Sequence, residues 1–466
     1  MVSPGRGALP KWPDFLNPDQ FARKKKTSIL TWVFPAITPD QRRRHMKEIN
    51  STRRRTLLKG TAAATAVSVV GCASPLTTSS RPRVVVVGGG WGGLGAVRAL
   101  ATGGKVDITL IEPNDDFMSC PLSILYIAGY AQSSDFQRSY GAVDALGVRR
   151  VKDRVVDIDR AGRTVKTATQ SIPYDFLVLS TGLEYMEEAL PGYAAARDQF
   201  PVGFRAFEQA AVQRQVAAFV EQGGNFVITV PKPPYRCPPA PYERACMIAQ
   251  RMKEKGTKGK LIVVDANKHP MPPPLAKPMQ TAMREMYGSQ IEYITEADPK
   301  SIDAGRKVLS TSKGDIPFSH ANIILPMRAP GLIRKAGLGE RFAAVELPSF
   351  QSKADKSIFI IGDSGARRCR RAATSPSAPA SRSASRSSRP SPASTRKPDW
   401  ATRSPLPAAI CWGKVSTSLA IMINVTSSIS IGDPPSIKFQ VDQAANAASS
   451  KGAMDWGKNI WNAMLG

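Results

Sequence analysis

A glycine-rich loop near the front of this 466-residue chain limits its possible folds more than any other feature. Residues 83–93 read RVVVVGGGWGG, so an apolar run leads into the spaced glycines Gly88, Gly90 and Gly93. A helical segment and a second apolar strand follow, and that strand ends in Glu112. In a βαβ unit of this kind the glycines allow a tight turn, close approach of a pyrophosphate and close helix packing, while the acid accepts hydrogen bonds from a ribose. The pattern predicts a Rossmann-like domain that binds a dinucleotide.

Two shorter motifs favour FAD as that dinucleotide. The stretch YDFLVLSTG is a strand-like run that ends in Thr181 and Gly182, and the stretch SIFIIGD ends in Gly362 and Asp363. They resemble the two short motifs of flavoproteins with two dinucleotide-binding domains, in which the aspartate of the second motif accepts a hydrogen bond from the flavin ribityl chain. Each motif alone is typical of any strand that enters a turn. Their order behind the glycine loop predicts FAD binding.

A second βαβ unit has lost its glycine loop. Residues 225–230, NFVITV, and residues 261–265, LIVVD, have the pattern of its two strands, and Asp265 stands where a ribose-binding acid belongs. The loop between them, PKPPYRCPPAPYERA, has prolines around Cys237. Prolines lack the N–H groups that cradle a phosphate, so the loop cannot bind NADH in the usual way. Two interpretations stay open for Cys237: dithiol chemistry, or a rigid loop with an incidental buried cysteine. We expect Cys246, on the following helix, to lie in the core.

The chain resembles the flavoprotein subunit of flavocytochrome c sulfide dehydrogenase. The stretches VVVVGGGWGG, LIEPNDDFMSCPLS, YRCPPAPYERA and CWGKVSTSLAIMINV carry this resemblance, which extends over most of residues 82–365 and 411–466. It implies that Cys120 forms a thioether to the 8α-methyl group of FAD, and that Cys237 and Cys411 form a redox-active disulfide beside the flavin. It also implies sulfide as the substrate and a c-type cytochrome subunit as the partner that takes up the electrons.

Three other functions are alternatives to this one. A sulfide:quinone oxidoreductase shares the fold and the disulfide chemistry but needs an apolar C-terminus that dips into a membrane, whereas the tail AASSKGAMDWGKNIWNAMLG is short and polar. A non-catalytic flavoprotein-like subunit is the alternative if residues 366–410 are genuine. An NADH-dependent reductase is disfavoured by the proline loop. Within the tail, Trp456 and Trp461 either face a partner or pack in the core.

The charge of +27 is concentrated in two segments. Residues 1–83 contribute +12 and residues 366–410 contribute +9, so the globular remainder is only mildly basic. The charge therefore predicts no nucleic-acid surface. The three histidines, His45, His269 and His320, do not have the spacing of metal ligands, and we expect no metal site.

The N-terminal segment resembles an export signal. Arg54 and Arg55 precede a short apolar run, which is typical of the twin-arginine route into the periplasm. That run is too short to span a bilayer as a stable helix. A basic cytosolic tail is the alternative. The stretch VVGC also resembles a lipoprotein box, which would make Cys72 a lipid anchor.

Residues 366–410 break the pattern of the chain, because they turn abruptly to Ser, Arg, Pro and Ala, a composition that cannot bury a core. A disordered basic linker is one interpretation. We prefer a reading-frame error, because a two-base shift through RCRRAATSP can encode VPKSGYVA, which resembles the stretch that follows the Gly-Asp motif in the family. Sequence similar to the family resumes at Cys411, so a second shift restores the frame.

The predicted fold class is α/β: a Rossmann-like FAD-binding domain with an inserted, modified second dinucleotide-binding domain and a small C-terminal domain. The predicted boundaries follow from the motifs above. They are 1–45 for a mis-called N-terminal extension, 46–80 for the twin-arginine signal, 81–190 for the first part of the FAD domain, 195–328 for the domain with Cys237, 329–410 for the return to the FAD domain and 411–466 for the C-terminal domain.

Overall fold

The computed structural model describes residues 81–346, 349–365, 409–428 and 436–465. The predictions about the export signal, the N-terminal extension and Cys72 fall on residues 1–80 and lie outside the described residues. The predicted frame error falls almost entirely on residues 366–408, which are outside them as well.

The described strands are numbered in chain order. They are β1 (Arg83–Val87), β2 (Asp107–Ile111), β3 (Asp116–Met118), β4 (Gln137–Ser139), β5 (Arg149–Val151), β6 (Val155–Asp159), β7 (Thr164–Thr167), β8 (Ser171–Pro173), β9 (Phe176–Leu179), β10 (Glu184–Tyr185), β11 (Gly224–Val230), β12 (Gly259–Asp265), β13 (Ile291–Ile294), β14 (Pro299–Asp303), β15 (Val308–Thr311), β16 (Gly314–Pro317), β17 (His320–Asn322), β18 (Met327–Arg328), β19 (Val345–Glu346), β20 (Gln351–Ser352), β21 (Ile358–Ile360), β22 (Ala409–Lys414), β23 (Ala420–Ser428) and β24 (Ser436–Val441).

The described α-helices are numbered in the same way. They are α1 (Trp91–Gly103), α2 (Ile124–Ile127), α3 (Gly141–Asp144), α4 (Tyr193–Ala196), α5 (Gln209–Gln222), α6 (Ala240–Lys255), α7 (Ala276–Tyr287), α8 (Gly331–Lys335) and α9 (Ala447–Leu465). Short 3₁₀ turns occur at Ser133–Asp135, Glu187–Ala189, Ala206–Glu208, Pro273–Leu275 and Gly362–Ser364.

The first sheet has seven strands in the order β19-β20-β21-β9-β1-β2-β5. From β21 to β5 neighbouring strands are parallel, with β1 between β2 and β9. Val84 and Val86 of β1 belong to a core cluster that includes residues of α1, and Val85 and Val87 belong to a second cluster that includes residues of β6, β7 and β8. Both faces of β1 are therefore covered, which explains why a parallel strand is apolar at consecutive positions.

The second sheet has four parallel strands in the order β13-β12-β11-β17. All four come from a stretch of the chain that lies between β9 and β21 of the first sheet. Helix α6 packs into the core of this part of the molecule, and Ala245, Cys246, Met247, Ile248 and Ala249 are all fully buried. The prediction that Cys246 is a core residue is confirmed.

The C-terminal part forms an antiparallel sheet, β22-β23-β24, and the long helix α9. Helix α9 packs on α1, where Arg98 donates a hydrogen bond to the carbonyl of Met464 at 2.9 Å. Trp461 of α9 is buried, with 8% of its surface exposed, so it packs in the core and does not face a partner. No helix in the described ranges is both long enough and apolar enough to cross a membrane.

The predicted α/β class is confirmed by a mainly parallel first sheet, with antiparallel pairs only at β19-β20-β21 among the described strands, and by a parallel second sheet, both packed with helices. The sequence pattern predicts that the first helix begins at Leu94, whereas α1 begins at Trp91. The reason is the close approach of helix and strand: a Cβ on Gly93 would lie 1.8 Å from the carbonyl oxygen of Gly88. Gly92 and Gly93, which the sequence pattern assigns to the loop, therefore belong to the first turn of α1.

Candidate functional site

The glycine loop between β1 and α1 requires glycine for steric reasons. Gly88 has φ +96°, and a Cβ there would lie 2.4 Å from the carbonyl oxygen of Ser180. Gly90 caps α1, and a Cβ on Gly90 would meet no atom of the described residues within 4 Å. The N-terminal end of α1, with its partial positive charge, is thus open at the second glycine. This geometry fits the pyrophosphate of a dinucleotide.

Glu112 lies beside this loop and is mostly buried. Its carboxylate accepts hydrogen bonds from Gly89 N at 2.7 Å, from Asn114 N at 2.9 Å and from Asn114 Nδ2 at 2.6 Å. Tyr140, which the sequence analysis missed, donates to the carbonyl of Gly89 at 3.0 Å. A carboxylate has about four lone-pair positions, so Glu112 keeps acceptor capacity. Its contact with a ribose stays a prediction.

The two short flavin motifs meet in space. They follow β9 and β21, which are neighbouring parallel strands. Thr181 Oγ1 and Ser364 Oγ lie 3.0 Å apart, and Ser364 Oγ donates to the carbonyl of Gly182 at 2.6 Å. Gly182 and Gly362 have φ +69° and +70°, a left-handed conformation that favours glycine. The polar ends of both motifs therefore line one edge of the sheet, the edge at which such sheets bind ligands.

Cys120 lies on the loop between β3 and α2 and is half-buried. Its Sγ is 3.4 Å from the carbonyl oxygen of Phe204 and 3.5 Å from Nε2 of Gln209. The loop is supported by Trp461, whose Nε1 donates to Ser119 Oγ at 3.0 Å. These contacts hold the thiol in a fixed place, as attachment to a cofactor requires. The thioether to FAD stays a prediction.

Cys237 lies on the proline loop, three residues before the first residue of α6. It has φ +50°, which is unusual for a residue with a side chain, and its carbonyl accepts from Ala240 N at 2.9 Å. The side chain is exposed, yet protein surrounds it closely enough that burial raises the pKa of the thiol to about 12, with the nearby charge of Glu243 acting in the same direction. Arg236 and Arg244 oppose this rise. Cys237 is a free thiol in this structure.

Arg236 connects the two parts of the site. Its Nη1 donates to the carbonyl of Phe204 at 3.2 Å, which is the same oxygen that Cys120 contacts, and its Nε lies 3.5 Å from Oδ2 of Asp363. The charge of a Cys120 thiolate is the largest cause that raises the pKa of Arg236. One guanidinium therefore lies among Cys120, Cys237 and the aspartate of the second flavin motif. Its position next to Cys237 in the sequence was the only signal that could have identified it.

Arg244, on the first turns of α6, is 4% exposed. It donates to the carbonyls of Val202 and Gly203, both at 2.8 Å, and to Oδ1 of Asn322 at 2.6 Å. Its guanidinium also lies over the ring of Phe204, 4.6 Å from the centroid. Burial lowers the pKa of this arginine. Arg244 fixes the backbone whose next carbonyl contacts Cys120 and Arg236.

Glu243 and Lys414 join α6 to the strand that contains Cys411. Glu243 accepts a hydrogen bond from the backbone N of Lys414 at 3.0 Å, and burial raises the pKa of Glu243 to about 7. Lys414 is 1% exposed, donates through Nζ to Ser450 Oγ at 2.9 Å, and has a pKa lowered by burial. Neither residue is singled out by the sequence; the spacing between Glu243 and Cys237 was the available signal.

Cys411 lies on β22 opposite Ile423, three residues before Lys414. Its side chain is outside the described part of the structure. The Glu243–Lys414 contact brings its strand to the helix that begins just after Cys237, but the Cys237–Cys411 disulfide stays a prediction.

The acid of the second βαβ unit is already engaged by protein groups. Asp265 is fully buried and accepts from the hydroxyls of Tyr242 at 2.7 Å and Tyr293 at 2.8 Å, and from Asn267 N and Nδ2, both at 2.8 Å. Burial raises its pKa, and the tyrosine and Asn267 hydrogen bonds oppose that rise. Tyr242 lies in the first turn of α6, where a nucleotide phosphate would bind in an ordinary unit. This arrangement leaves no ribose acceptor at the second site.

Comparisons with known proteins agree with this geometry. Residues 210–325 match the family described as sulfide dehydrogenase [flavocytochrome c] flavoprotein chain, central, and residues 82–218 match the pyridine nucleotide-disulphide oxidoreductase family. The chain is 23% identical over 306 residues to the mitochondrial sulfide:quinone oxidoreductase of Mus musculus, a match that covers 62% of this chain and 66% of the relative. A similar match, 23% over 292 residues, covers 60% of this chain and 65% of the mitochondrial sulfide:quinone oxidoreductase of Dictyostelium discoideum.

The chain thus spans just under two thirds of the length of these curated relatives. Among solved structures, the sulfide:quinone oxidoreductase of the hyperthermophilic bacterium Aquifex aeolicus superposes with a TM-score of 0.62 at 16% identity, over 82% of this chain and 92% of that one. The structural likeness establishes the fold. The two family matches, which together extend over residues 82–325, support a flavoprotein related to the flavoprotein chain of flavocytochrome c sulfide dehydrogenase.

Proposed function

We propose that this chain is the flavoprotein subunit of an exported sulfide dehydrogenase that binds FAD covalently through Cys120. It oxidises sulfide at a Cys237–Cys411 disulfide and passes electrons to a c-type cytochrome subunit. The names of the matching family and of the curated relatives support sulfide as the substrate.

The contacts of Arg236 are the main support for this proposal. Arg236 contacts Asp363 of the second flavin motif and the carbonyl that Cys120 contacts, and it is the neighbour of Cys237 in the sequence. The proline loop therefore lies close to the edge of the first sheet where the two flavin motifs end, which supports a role for Cys237 beside a bound flavin. In an ordinary nicotinamide-binding domain the loop at this position binds a nucleotide. Here Asp265, the acid that would bind the ribose, already accepts hydrogen bonds from Tyr242 and Tyr293.

The chemistry at the cysteines begins with hydrosulfide. It attacks one sulfur of the disulfide, so that a new S–S bond forms, the old one breaks, and the products are one cysteine persulfide and one cysteine thiolate. Over a full turnover each hydrosulfide loses one proton and two electrons and its sulfur leaves in the zero-valent state or as polysulfide. FAD, when bound, would supply the two-electron acceptor for this oxidation and the capacity to pass on electrons one at a time to a haem partner.

The chain's own charged residues support this sequence of steps. Arg236 and Arg244 lower the cost of forming a thiolate at Cys237, where burial alone disfavours it. Glu243, with a pKa of about 7, is poised to take the proton that hydrosulfide releases near neutral pH. Its hydrogen bond from Lys414 N holds this carboxyl on the side of the strand that contains Cys411.

The cytochrome partner and the export to the periplasm belong to the same proposal. A cofactor that is loaded before transport fits the twin-arginine pattern at Arg54 and Arg55, and an exported site fits a redox disulfide. The second candidate function is sulfide:quinone oxidoreduction, which is favoured by the names of the curated relatives.

The test is anaerobic titration of the purified flavoprotein with sulfide, followed by flavin absorbance. We expect bleaching in the unchanged chain, and its loss in Cys237→Ser with bound flavin retained. Cys246→Ser is the matched control, because that buried thiol packs against Met279 in the core, away from Arg236. Normal sulfide turnover in Cys237→Ser would contradict the disulfide scheme.

The same preparation separates the two acceptors. Reduction of soluble cytochrome c but not of a short-chain quinone supports the sulfide dehydrogenase. The reverse result supports the quinone enzyme and leaves the disulfide chemistry intact.

A further inference from the structure

Gln209 is a buried polar residue at the proposed attachment point. It is the first residue of α5, is 1% exposed, and points its Nε2 at Cys120 Sγ from 3.5 Å. Its side-chain carbonyl has no hydrogen-bond partner in the part of the chain that the structure describes. A buried carbonyl left unpaired destabilises the folded state, so an amide at this position calls for a functional explanation.

The surroundings of Cys120 indicate what the amide does. The thiol faces the carbonyl of Phe204 at 3.4 Å, and Arg236 donates to that same carbonyl at 3.2 Å. The Gln209 amide N–H and the Arg236 cation both favour negative charge on the sulfur, and Gln209 lies at the end of α5 that carries partial positive charge. A thiolate is the nucleophilic form of cysteine. The contacts around Cys120 therefore suit a sulfur that reacts as a nucleophile.

We propose that Gln209 is a positioning residue for the attachment of the flavin: its amide orients the sulfur of Cys120 and stabilises the thiolate that attacks. This inference rests on the proposed attachment at Cys120. In the step, an S–C bond forms between Sγ and the 8α-carbon, while the S–H bond and one C–H bond of the methyl group break. The two protons and two electrons pass to the flavin ring system, and dioxygen or the cytochrome acceptor removes the electrons afterwards.

The experiment measures attachment directly, without turnover. The full chain is produced without flavin and incubated with FAD at pH 7 and pH 9, and covalent flavin is read as fluorescence that stays with the polypeptide on a denaturing gel. For Gln209→Met we expect unchanged total FAD binding and an attachment rate about 10- to 100-fold lower at pH 7, the effect of losing a hydrogen bond to a charged group. At pH 9 an ordinary thiol ionises unaided, so most of the difference should disappear.

Gln215→Met is the matched control. Gln215 lies on the same helix and also has a side-chain carbonyl without a partner in the described residues, but it has no contact with Cys120. We expect its attachment rate to equal that of the unchanged chain. If Gln209→Met does not fold, Gln209→Glu keeps the size of the side chain and brings a carboxylate to the sulfur, so slower attachment at pH 7 is expected there too.

An attachment rate at pH 7 that is unchanged in Gln209→Met or in Gln209→Glu would overturn the inference. A rate that falls equally at both pH values would overturn it as well, because it would indicate a structural defect. The proposed function has its own control: Cys120→Ser should bind FAD without any covalent flavin, and covalent flavin in that variant would remove the attachment from Cys120.

Discussion

Two buried cations distinguish this site at the scale of single residues. Arg244 and Lys414 are 4% and 1% exposed, and the hydrogen bonds of both side chains go to neutral groups. Buried charges are costly unless other charges or hydrogen bonds compensate them. Glu243 lies near both, and both lower its pKa against the larger effect of burial. The protonation state of Glu243 therefore sets the net charge of the group that it forms with Arg244 and Lys414.

A stability measurement on Glu243→Gln tests this arrangement. Burial raises the pKa of the carboxyl from 4.5 to about 7, so the folded protein prefers the protonated form. The stabilisation is complete below the unfolded pKa and is lost as pH rises through about 7. Glutamine resembles the protonated form at every pH. We expect Glu243→Gln to be more stable than the unchanged chain at pH 8.5, by about 1–3 kcal/mol, and equal to it near pH 4.5.

Urea unfolding at the two pH values provides the comparison. Glu221→Gln, on the exposed end of α5, is the control and should change stability at neither pH. If Glu243→Gln showed the same stability difference at both pH values, the carboxyl would not titrate with folding and its proposed role in proton uptake would lose its support.

At the scale of elements, α9 holds the Cys120 loop. Trp461 donates to Ser119 at 3.0 Å and packs edge-on against Phe136, with ring centroids 5.8 Å apart. One turn earlier, Gly457 approaches so closely that a Cβ there would lie 2.3 Å from Cδ1 of Leu122. The loop with the proposed attachment cysteine is thus covered by a helix from the far end of the sequence.

Removing the indole should separate these elements. We expect Trp461→Ala to lower the free energy of unfolding by about 3–5 kcal/mol, the usual cost of deleting a large buried aromatic side chain. Hydrogen exchange should also become faster at residues 119–127. Trp456→Ala is the control on the same helix, and because Trp456 is only half-buried its effect should be near 1 kcal/mol. Equal losses in the two variants would show that α9 does not hold the loop specifically.

The elements differ in how far the sequence alone could predict them. The run of valines before Gly88 and the placement of the prolines around Cys237 are local patterns, so they predict the first βαβ unit and the altered second one. Gln209 and Arg236 act on Cys120 from 89 and 116 positions away along the chain. No local periodicity reports such contacts, because they depend on how the inserted sheet packs against the first.

At the scale of the whole molecule, the two large sheets each present an edge at which such a sheet can bind a nucleotide, and the two edges differ. The edge after β1 keeps an open glycine turn, whereas the edge after β11 is closed by Tyr242 on Asp265. Residues 366–408, which lie outside the described residues, join the end of the second flavin motif to β22. The composition of this stretch, which is rich in Ser, Arg, Pro and Ala, is the reason for the frame-error proposal.

Resequencing the coding DNA across residues 360–415 tests the frame-error proposal. We expect two compensating indels, with the corrected frame encoding a stretch close to Val-Pro-Lys-Ser-Gly-Tyr-Val-Ala after the Gly362–Asp363 motif. DNA that matches the present residues would contradict the frame error, and it would favour a non-catalytic flavoprotein-like subunit.

The hydrogen bond between Trp461 and Ser119 also has a consequence in time. These partners are 342 positions apart, and a ribosome adds about 5–20 residues per second. The Cys120 loop therefore leaves the ribosome roughly 20 to 70 s before the helix that covers it has been made. During that interval α9 does not yet cover the loop. The sulfur of Cys120 is therefore neither shielded from solvent by this helix nor held in one orientation by its contact with Ser119. If the flavin is attached at Cys120 as proposed, the attachment then follows the end of synthesis of each polypeptide.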